Sequence, residues 1–269
     1  MSQRIAILGA GVMGETLLAA ILGSGHPVAD LVISEKRDDR AAELRDAYGV
    51  EVTGNAEAVT GADTILVVVK PQDVPALLTE ISSNVSASAT VVSLAAGIRI
   101  DTLESTLPDG VAVVRAMPNT PALVGAGVAA IAPGSEAGDD TMAWAEGILG
   151  AVGDVVRVSE PQLDAVTGLS GSGPAYVFLV AEALIDAGVA EGLPRPIAER
   201  LAVGTLRGAG IMLAESGQGA AELRAAVTSP GGTTAAGLRA LETRAVRAAL
   251  GEAVAAATAR SCELGTVRP

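Results

Sequence analysis

The fold of this chain is decided by one stretch near its start, Arg4-Ile5-Ala6-Ile7-Leu8-Gly9-Ala10-Gly11-Val12-Met13-Gly14. Its apolar, β-branched first half is typical of a buried strand, and the glycines follow where that strand would end. A glycine at 9 allows a tight turn, one at 11 lets a pyrophosphate approach the backbone, and one at 14 lets a helix pack closely on the strand. The alternative is a glycine turn with a purely structural role. We predict a dinucleotide site formed by Gly9, Ala10, Gly11, Val12, Met13 and Gly14, with phosphates at the helix N-terminus.

The first half of the chain continues this alternation of short apolar runs and helical patterns. Strands are expected at residues 4–8, 31–34, 64–69, 89–94, 111–115 and 128–131, and helices at 15–22, 38–48 and 71–81. Residues 65–69 contain no polar side chain, which is typical of a strand buried on both faces. The rhythm predicts an α/β fold, with a Rossmann-type, doubly wound parallel sheet over residues 1–158.

The second half reads differently, because only helical patterns follow Val158. Helices are expected at residues 163–169, 175–190, 196–214, 220–227 and 233–259. Glycine or proline separates most of them, which is typical of helix ends. We therefore predict an all-helical second domain over residues 159–269, with the boundary near Ser159.

Composition narrows the class of protein. Hydrophobic residues make up 49% of the 269 residues but aromatic residues only 1%, so small aliphatic side chains must form the core. The net charge of -13 opposes binding to nucleic acid or to an anionic membrane. One cysteine, Cys262, leaves no internal disulfide and fits a reducing cytoplasm. We expect a cytoplasmic protein without a signal peptide or membrane span, since prolines break the longest uncharged run, 116–135.

The residues after the second predicted strand bear on the choice of cofactor. They lie ~20 residues beyond the glycines, where an acidic side chain holds the ribose hydroxyls of NAD. Ser34 is not acidic, and Lys36 and Arg37 bring two cations that suit the 2′-phosphate of NADPH. The sequence favours NADPH. NADH becomes the alternative cofactor if the Glu35 carboxylate turns inward. The alternative without a functional role is a solvated cluster of charges on a loop.

Two further strand ends are candidates for cofactor contact, because ligands of doubly wound sheets bind at the carboxyl ends of strands. The first segment, 69–72, follows the buried strand. The second, 95–97, has small side chains that leave room for a flat ring of the cofactor. The alternative is that these residues only form ordinary connections between a strand and the next helix. The candidate residues are Val69, Lys70, Pro71, Gln72, Ala95, Ala96 and Gly97.

Missing residue types restrict the chemistry. His26 is the only histidine and falls in a glycine-rich loop, away from the expected strand ends, so histidine acid–base catalysis is disfavoured. Lys36 and Lys70 are the only lysines, which argues against a dehydrogenase with a lysine in its helical domain. No zinc-binding constellation is present. An imine substrate fits the lack of a strong acid–base side chain, because an imine is protonated more readily than a carbonyl and then accepts hydride directly.

Two motifs in the helical half are suited to binding such a substrate. Ser229-Pro230-Gly231-Gly232-Thr233-Thr234 precedes a helix, where unblocked N–H groups favour a carboxylate and a threonine hydroxyl can meet a nitrogen. Its alternative is a threonine N-cap. Residues 167–176, Thr-Gly-Leu-Ser-Gly-Ser-Gly-Pro-Ala-Tyr, indicate backbone close to a ligand or helix, or else a helix break with Ser172 as cap and Pro174 in the first turn.

Taken together, these motifs resemble the pyrroline-5-carboxylate reductase family, and the resemblance runs nearly from end to end of the chain. The 229–234 motif resembles the family signature and is the most specific match. The other matching segments are 9–14, 69–72, 93–98, 115–121, 164–178 and 223–238.

The resemblance implies a Rossmann domain followed by a helical domain that interleaves with its copy in a homodimer, often assembled further into a ring such as a homodecamer. It implies reduction of L-1-pyrroline-5-carboxylate to L-proline with NADPH or NADH, the last step of proline synthesis. An interleaved partner also explains alanine-rich helices whose apolar faces exceed what one small domain covers.

The resemblance also implies roles for individual residues. Thr234 matches the threonine that meets the substrate nitrogen, and Gly231, Gly232 and Thr233 match the backbone that binds the carboxylate. Glu160 matches an acidic residue near substrate and cofactor.

For the cofactor, Asn55 matches an asparagine near the adenosine ribose. Ala226 replaces an asparagine of some relatives, which removes one expected contact. Two other functions stay open: a reductase of the same build acting on a β-hydroxy acid or another cyclic imine, and a dinucleotide-binding sensor without turnover.

Overall fold

The computed structural model describes residues 3–266 and divides into two compact units. The sheet unit comprises the residues up to Ser172 together with those from Ala255 onward, and the helical unit comprises Gly173–Val254. Compactness thus divides the chain at Gly173, whereas the sequence placed the boundary at Ser159. The reason is that Leu163 and Asp164 are buried within the sheet unit. Of the predicted domains, residues 1–2 and 267–269 lie outside the described residues.

The sheet unit contains eight strands in the order β3-β2-β1-β4-β5-β6-β7-β8. The strands are β1 (Ile5–Leu8), β2 (Leu31–Ser34), β3 (Glu51–Thr53), β4 (Thr64–Val67), β5 (Thr90–Ser93), β6 (Ala112–Met117), β7 (Gly127–Pro133) and β8 (Gly153–Arg157). The strand order reverses between β1 and β4, and both strands run parallel. This confirms the Rossmann-type fold and locates its ligand crevice at the carboxyl ends of these two strands.

The sequence predicts a parallel sheet, but one pair of strands in it is antiparallel. Strand β7 pairs with β6 in antiparallel fashion, with Met117 opposite Ala130. The reason is the link at residues 118–126, which holds only the 3₁₀ turn Thr120–Val124. A parallel crossover needs a dozen or more residues, usually with a helix, so the chain turns straight back.

Both faces of the sheet are buried, which explains the uninterrupted apolar runs. Ile5 and Ile7 of β1 point into one core cluster, and Ala6 and Leu8 point into the other. All four are at most 1% exposed. Alternate side chains therefore anchor helices on opposite faces, and the strand ends are the exposed edge left for a ligand.

The helices of the sheet unit mostly flank the sheet. They are α1 (Val12–Gly23), α2 (Asp38–Tyr48), α3 (Asn55–Val59), α4 (Val74–Ile81), α5 (Ile100–Glu104), α6 (Asp139–Gly150) and α7 (Leu163–Val166). The helix predicted at 71–81 begins with a 3₁₀ turn, Pro71–Asp73. The predicted break after residue 169 is instead a π-helical stretch, Thr167–Gly171, and Pro174 lies in the first turn of the next helix.

The helical unit is built from α8 (Gly173–Ala190), α9 (Arg195–Glu215), α10 (Ala220–Ala226), α11 (Thr233–Thr243) and the first part of α12 (Val246–Thr266). Helices α8 and α9 cross closely, since a Cβ at Gly188 would lie 3.2 Å from that of Ala198. The single helix predicted at 233–259 was wrong. Ala245, with φ of 55°, separates α11 from α12, and no glycine or proline marks this break in the sequence.

The apolar side chains of the helical unit are largely uncovered. Among its described residues only Ala198 and Ala202 are buried hydrophobics, while Phe178 is 64% and Leu179 65% exposed. The helical stretch Glu160–Ala190 is long and apolar enough to span a membrane by length and composition alone. An unburied apolar face of this kind also marks an interface with another chain.

Candidate functional site

The glycine turn after β1 has the geometry that the sequence predicted. Gly9 has φ of +108°, and a Cβ there would lie 3.0 Å from the carbonyl carbon of Val68. A Cβ at Gly14 would lie 2.0 Å from the Gly9 carbonyl oxygen, so only glycine lets α1 pack this closely. At Gly11 a Cβ would meet nothing within 4 Å. Two glycines are therefore required by the fold itself, and the third faces open space.

The N-terminus of α1 fits a phosphate group. Gly11 is the N-cap and contributes no side chain, so no side-chain oxygen satisfies the first amides of the helix. Val12 is 69% exposed. Because the free N–H groups and the helix dipole both favour negative charge, this cradle suits a dinucleotide pyrophosphate.

The end of β4 lies beside the glycine turn. Val69 Cγ1 would be 3.1 Å from a Cβ at Gly9, and the Val68 amide donates to the Leu8 carbonyl at 2.8 Å. The three residues that follow, Lys70, Pro71 and Gln72, are exposed. The structure thus brings the 69–72 segment to the crevice where cofactor contact was predicted.

Ser34 and Asn55 are bound to each other. The Ser34 hydroxyl donates to Asn55 Oδ1 at 2.5 Å, and Asn55 Nδ2 donates to Glu80 Oε2 at 2.9 Å. Ser34 is 3% and Asn55 6% exposed. These contacts hold the end of β2 against α3, and contact of either side chain with a cofactor stays a prediction.

A cleft of about 340 Å³ opens next to the glycine turn. Its lining comprises Ala10, Gly11, Val12, Glu35, Arg37, Arg40 and Glu43. Glu35 Oε1 accepts the Arg37 amide at 2.9 Å, so this carboxylate is turned back onto its own loop. Lys36 is exposed beside the cleft.

Arg40 and Glu43 are the cleft residues that the sequence reasoning missed. The Arg40 guanidinium pairs with Glu15, and with Glu43 at 2.8 Å. The hydrogen bonds that Arg40 donates to Glu43 and Glu15 raise the pKa of Arg40, so it stays charged. Its position three residues after Arg37, in the first turn of α2, was the available signal, because residues i and i+3 lie on one helix face.

Glu15, in the first turn of α1, links this cation to Tyr48. Its second oxygen accepts the Tyr48 hydroxyl at 3.1 Å. Burial, and then this hydrogen bond to Glu15, raises the pKa of Tyr48 above its usual value. The network holds the Arg40 side chain at the cleft from both sides.

The segment after β5 supplies the small residues predicted to lie beside a flat ring. Ala95 is buried, Ala96 is exposed, and Gly97 has φ of +77°. Strand β5 adjoins β4, with Ser93 in register with Val67. The 95–97 segment therefore lies at the same edge of the sheet as the glycine turn.

Glu160 and Arg115 form an ion pair behind this segment. Glu160 Oε1 accepts Arg115 Nη1 at 3.0 Å and the Ile100 amide at 2.7 Å. Arg115 is 5% exposed. Contact of Glu160 with a substrate, which the resemblance implied, stays a prediction.

The only histidine is remote from the crevice, as predicted. His26 lines a cavity of about 560 Å³ with Ile5, the first residue of β1, and with Trp144. Gly9 follows the opposite end of the same strand. A histidine acid–base role at the crevice is therefore excluded within the sheet unit.

In the helical unit, the 229–234 segment forms the start of α11. Gly231 has φ of +71°, and Gly232 is the N-cap, so the predicted alternative of a threonine N-cap is wrong. Thr233 and Thr234 fall in the first turn. Neither hydroxyl has a hydrogen-bond partner within residues 3–266, and no side chain caps the helix amides. The segment is thus open to a carboxylate and a hydrogen-bonding group.

The 167–176 motif passes close to another segment of the sheet unit. A Cβ at Gly171 would lie 2.8 Å from Met117 Cε, and Asn119 Nδ2 donates to the Ser170 carbonyl at 3.1 Å. Such π-helical turns are frequent at functional sites. Gly171 lets the backbone approach the end of β6, and not another helix as the sequence predicted. Contact of this motif with a ligand stays a prediction.

Two family models match the chain. Residues 160–264 match the model described as pyrroline-5-carboxylate reductase dimerisation, and residues 4–97 match that described as NADP oxidoreductase coenzyme F420-dependent. The first match covers all of the helical unit, and the second covers the glycine turn and the 95–97 segment.

Individual relatives agree with these models. The pyrroline-5-carboxylate reductase of Mycobacterium tuberculosis is 47% identical, over 97% of this chain and 96% of its own length. The solved structure of the enzyme from Coxiella burnetii has a TM-score of 0.95 and 33% identity, covering 99% of this chain and 100% of that one. The Plasmodium falciparum enzyme, solved with NADP bound, has a TM-score of 0.85 and 29% identity, covering 98% of each chain.

Proposed function

Because the chain belongs to the pyrroline-5-carboxylate reductase family, we propose that it reduces L-1-pyrroline-5-carboxylate to L-proline with NADPH, the last step of proline synthesis. The observation that carries the proposal is the start of α11. There a glycine N-cap leaves the helix amides unblocked, and a threonine hydroxyl has no partner within residues 3–266.

The proposed cofactor contacts follow the edge of the sheet. The α1 amides hold the pyrophosphate, as supported by the glycine cradle of residues 9–14. Arg37 and Arg40, which line the adjoining cleft, pair with the 2′-phosphate, and Lys36 adds a third positive charge nearby. Residues 69–72 and 95–97 contact the rest of the dinucleotide. NADH remains a weaker substitute, because Glu35 already accepts a backbone amide.

The proposed substrate contacts lie in the 231–234 segment. The first amides of α11 bind the carboxylate of the imino acid, and Gly231 and Gly232 keep the approach free of side chains. The Thr234 hydroxyl accepts a hydrogen bond from the protonated imine nitrogen. When bound, the reduced nicotinamide supplies the hydride that saturates the carbon–nitrogen double bond. No acid–base side chain is required, since the proton already resides on the nitrogen.

The proposed assembly is a homodimer formed through the helical unit. The family match to a dimerisation domain and the exposed apolar side chains of α8 and α9 support it. We further propose that dimers join into a ring such as a decamer, and that the enzyme works in the cytoplasm.

A steady-state assay tests the function. NADPH oxidation should follow addition of pyrroline-5-carboxylate and yield proline stoichiometrically. Parallel reactions with 3-hydroxy acids and NADP⁺ cover the competing reductase activity. If only the hydroxy acids reacted, or if cofactor bound with no turnover of any imino acid, the assignment would be wrong.

A further inference from the structure

A buried ion pair holds the backbone at the start of α5. Glu160 Oε1 accepts both Arg115 Nη1, at 3.0 Å, and the Ile100 amide, at 2.7 Å. Arg115 is 5% exposed, and the Glu160 side chain is 21% exposed. One carboxylate oxygen therefore joins β6, α5 and the turn that begins at Glu160.

The ion pair fixes the geometry of this carboxylate. A buried guanidinium requires a partner, because an uncompensated buried charge is strongly unfavourable. Arg115 therefore keeps the Glu160 side chain in place, and the same carboxylate oxygen makes a charge-assisted hydrogen bond to the Ile100 amide.

The held backbone is continuous with the 95–97 segment. Ser93, at one end, is fixed in the sheet by its pairing with Val67 and Arg115. Ile100, at the other end, is fixed by Glu160. Between them Gly97 has φ of +77°, and Ala95 and Ala96 have no side chain beyond Cβ. Ala95 packs into the core, and Gly97 lies against Leu264 and Gly265. The Ile100 amide adds a hydrogen-bonded restraint at the far end of the segment.

A second carboxylate restrains the neighbouring residue. Arg99 Nη2 lies 3.7 Å from Asp164 Oδ2, and Asp164 Oδ1 accepts the Ser261 hydroxyl at 2.7 Å. Asp164 is 7% exposed. The longer Arg99 distance makes this contact the weaker restraint, so the Ile100 amide is the main point of attachment.

We propose that Glu160, held by Arg115, is a positioning residue that fixes the 95–97 segment against the nicotinamide half of the cofactor. It acts through the Ile100 amide and not as a direct ligand of the substrate. The inference rests on the proposed function, because it takes the 95–97 segment to face the nicotinamide.

Binding to whole and truncated cofactor tests the proposal. Calorimetry on the full chain compares NADPH with 2′-phospho-ADP, which lacks the nicotinamide. Glu160→Ala should weaken NADPH binding roughly 5- to 50-fold, because the Ile100 amide loses the acceptor of one charge-assisted hydrogen bond. Binding of 2′-phospho-ADP should stay within about twofold, because the glycine turn is untouched.

Two further variants separate positioning from stability. Arg115→Met combined with Glu160→Met removes both charges, a change that is often neutral for folding. It should reproduce the selective loss, because the Ile100 amide again lacks its acceptor. Glu146→Ala is the matched control, since it removes the partner of Arg157 in the Glu146–Arg157 pair of the same unit, at 2.6 Å, far from residue 100 in sequence. This control should leave the affinity for both NADPH and 2′-phospho-ADP unchanged.

The outcomes are distinct. Equal weakening of both ligands would show general destabilisation, and unchanged NADPH binding would show that the segment is not held by Glu160. A raised KM for pyrroline-5-carboxylate with unchanged NADPH affinity would make Glu160 a substrate ligand. Each of these overturns the proposal. Failure of the proposed function itself shows separately, as absence of imino-acid turnover in the unmutated chain.

Discussion

The two units of the chain bury their apolar side chains in opposite ways. All twelve of the largest fully buried side chains, from Ile5 to Ile81, lie in the sheet unit. In the helical unit the described buried hydrophobics are two alanines, Ala198 and Ala202. The difference teaches that the sheet unit carries its own core, whereas the helical unit reaches comparable burial only against another chain.

The largest effect is expected from charging the uncovered face of α8. Phe178→Asp with Leu179→Asp places two carboxylates where the proposed dimer excludes water, at a penalty of several kcal/mol. The dissociation constant of the dimer should rise by roughly 10³-fold or more. Light scattering across a dilution series measures it. Val28→Asp, at a 40% exposed site of the sheet unit, is the control and should leave the mass unchanged. A dimer that survived the double change would contradict burial of this face.

The next largest effect concerns chemistry assigned to the helical unit alone. Thr234→Ala should lower kcat by about 10- to 1000-fold, as for loss of a single hydrogen bond that positions the reacting group. NADPH affinity should stay nearly constant, because the glycine turn belongs to the sheet unit. Thr228→Ala is a suitable control, since that hydroxyl already has a partner at the end of α10, the Arg224 carbonyl. Unchanged turnover would remove Thr234 from the mechanism.

Two glycines of the sheet unit separate packing from ligand binding. Gly14→Ala should lower the free energy of unfolding by at least about 1–3 kcal/mol, because the new Cβ collides with the Gly9 carbonyl oxygen. In urea denaturation, Gly11→Ala should lower the free energy of unfolding less, since its Cβ meets nothing within 4 Å and only N-cap preference is lost, and yet weaken NADPH binding. If both variants unfolded alike, the open space at Gly11 would have no special meaning.

The smallest effect is a change in cofactor preference. Lys36→Ala with Arg37→Ala should reduce the preference for NADPH over NADH by roughly tenfold, about 1.4 kcal/mol of charge pairing. Arg40→Ala should shift it in the same direction. The ratio of kcat/KM values for the two cofactors measures both. Equal loss with both cofactors would mean that these cations do not contact the 2′-phosphate.

Much of the fold followed from local pattern, and the errors have local causes. The strand over residues 64–67 and the turn at Gly9 were readable because burial on both faces and a positive φ leave direct marks in sequence. The direction of β7 was not readable, since it depends on the length of the link at 118–126. The break at Ala245 carries no glycine or proline. The short strand β3, Glu51–Thr53, has too few residues to show a period.

Parts of the site that are consecutive in sequence were predicted, whereas contacts between separate elements were not. Residues 9–14 and 231–234 were identified because glycines and a helix start are consecutive in sequence. Arg40 and the Arg115–Glu160 pair were not identified as contacts, because each joins side chains from separate elements. Glu15 and Arg40 are 25 residues apart, and Arg115 and Glu160 are 45 apart.

The sequence by itself determined the Rossmann-type fold, the glycine turn and the helical second half, because periodicity and glycine conformation are properties of neighbouring residues. Only the tertiary structure decided which charges meet. It turned Glu35 back onto its own loop, aimed Arg40 at the cleft and placed Glu160 on the Ile100 amide. Such pairings depend on how distant elements pack, and no local pattern encodes them.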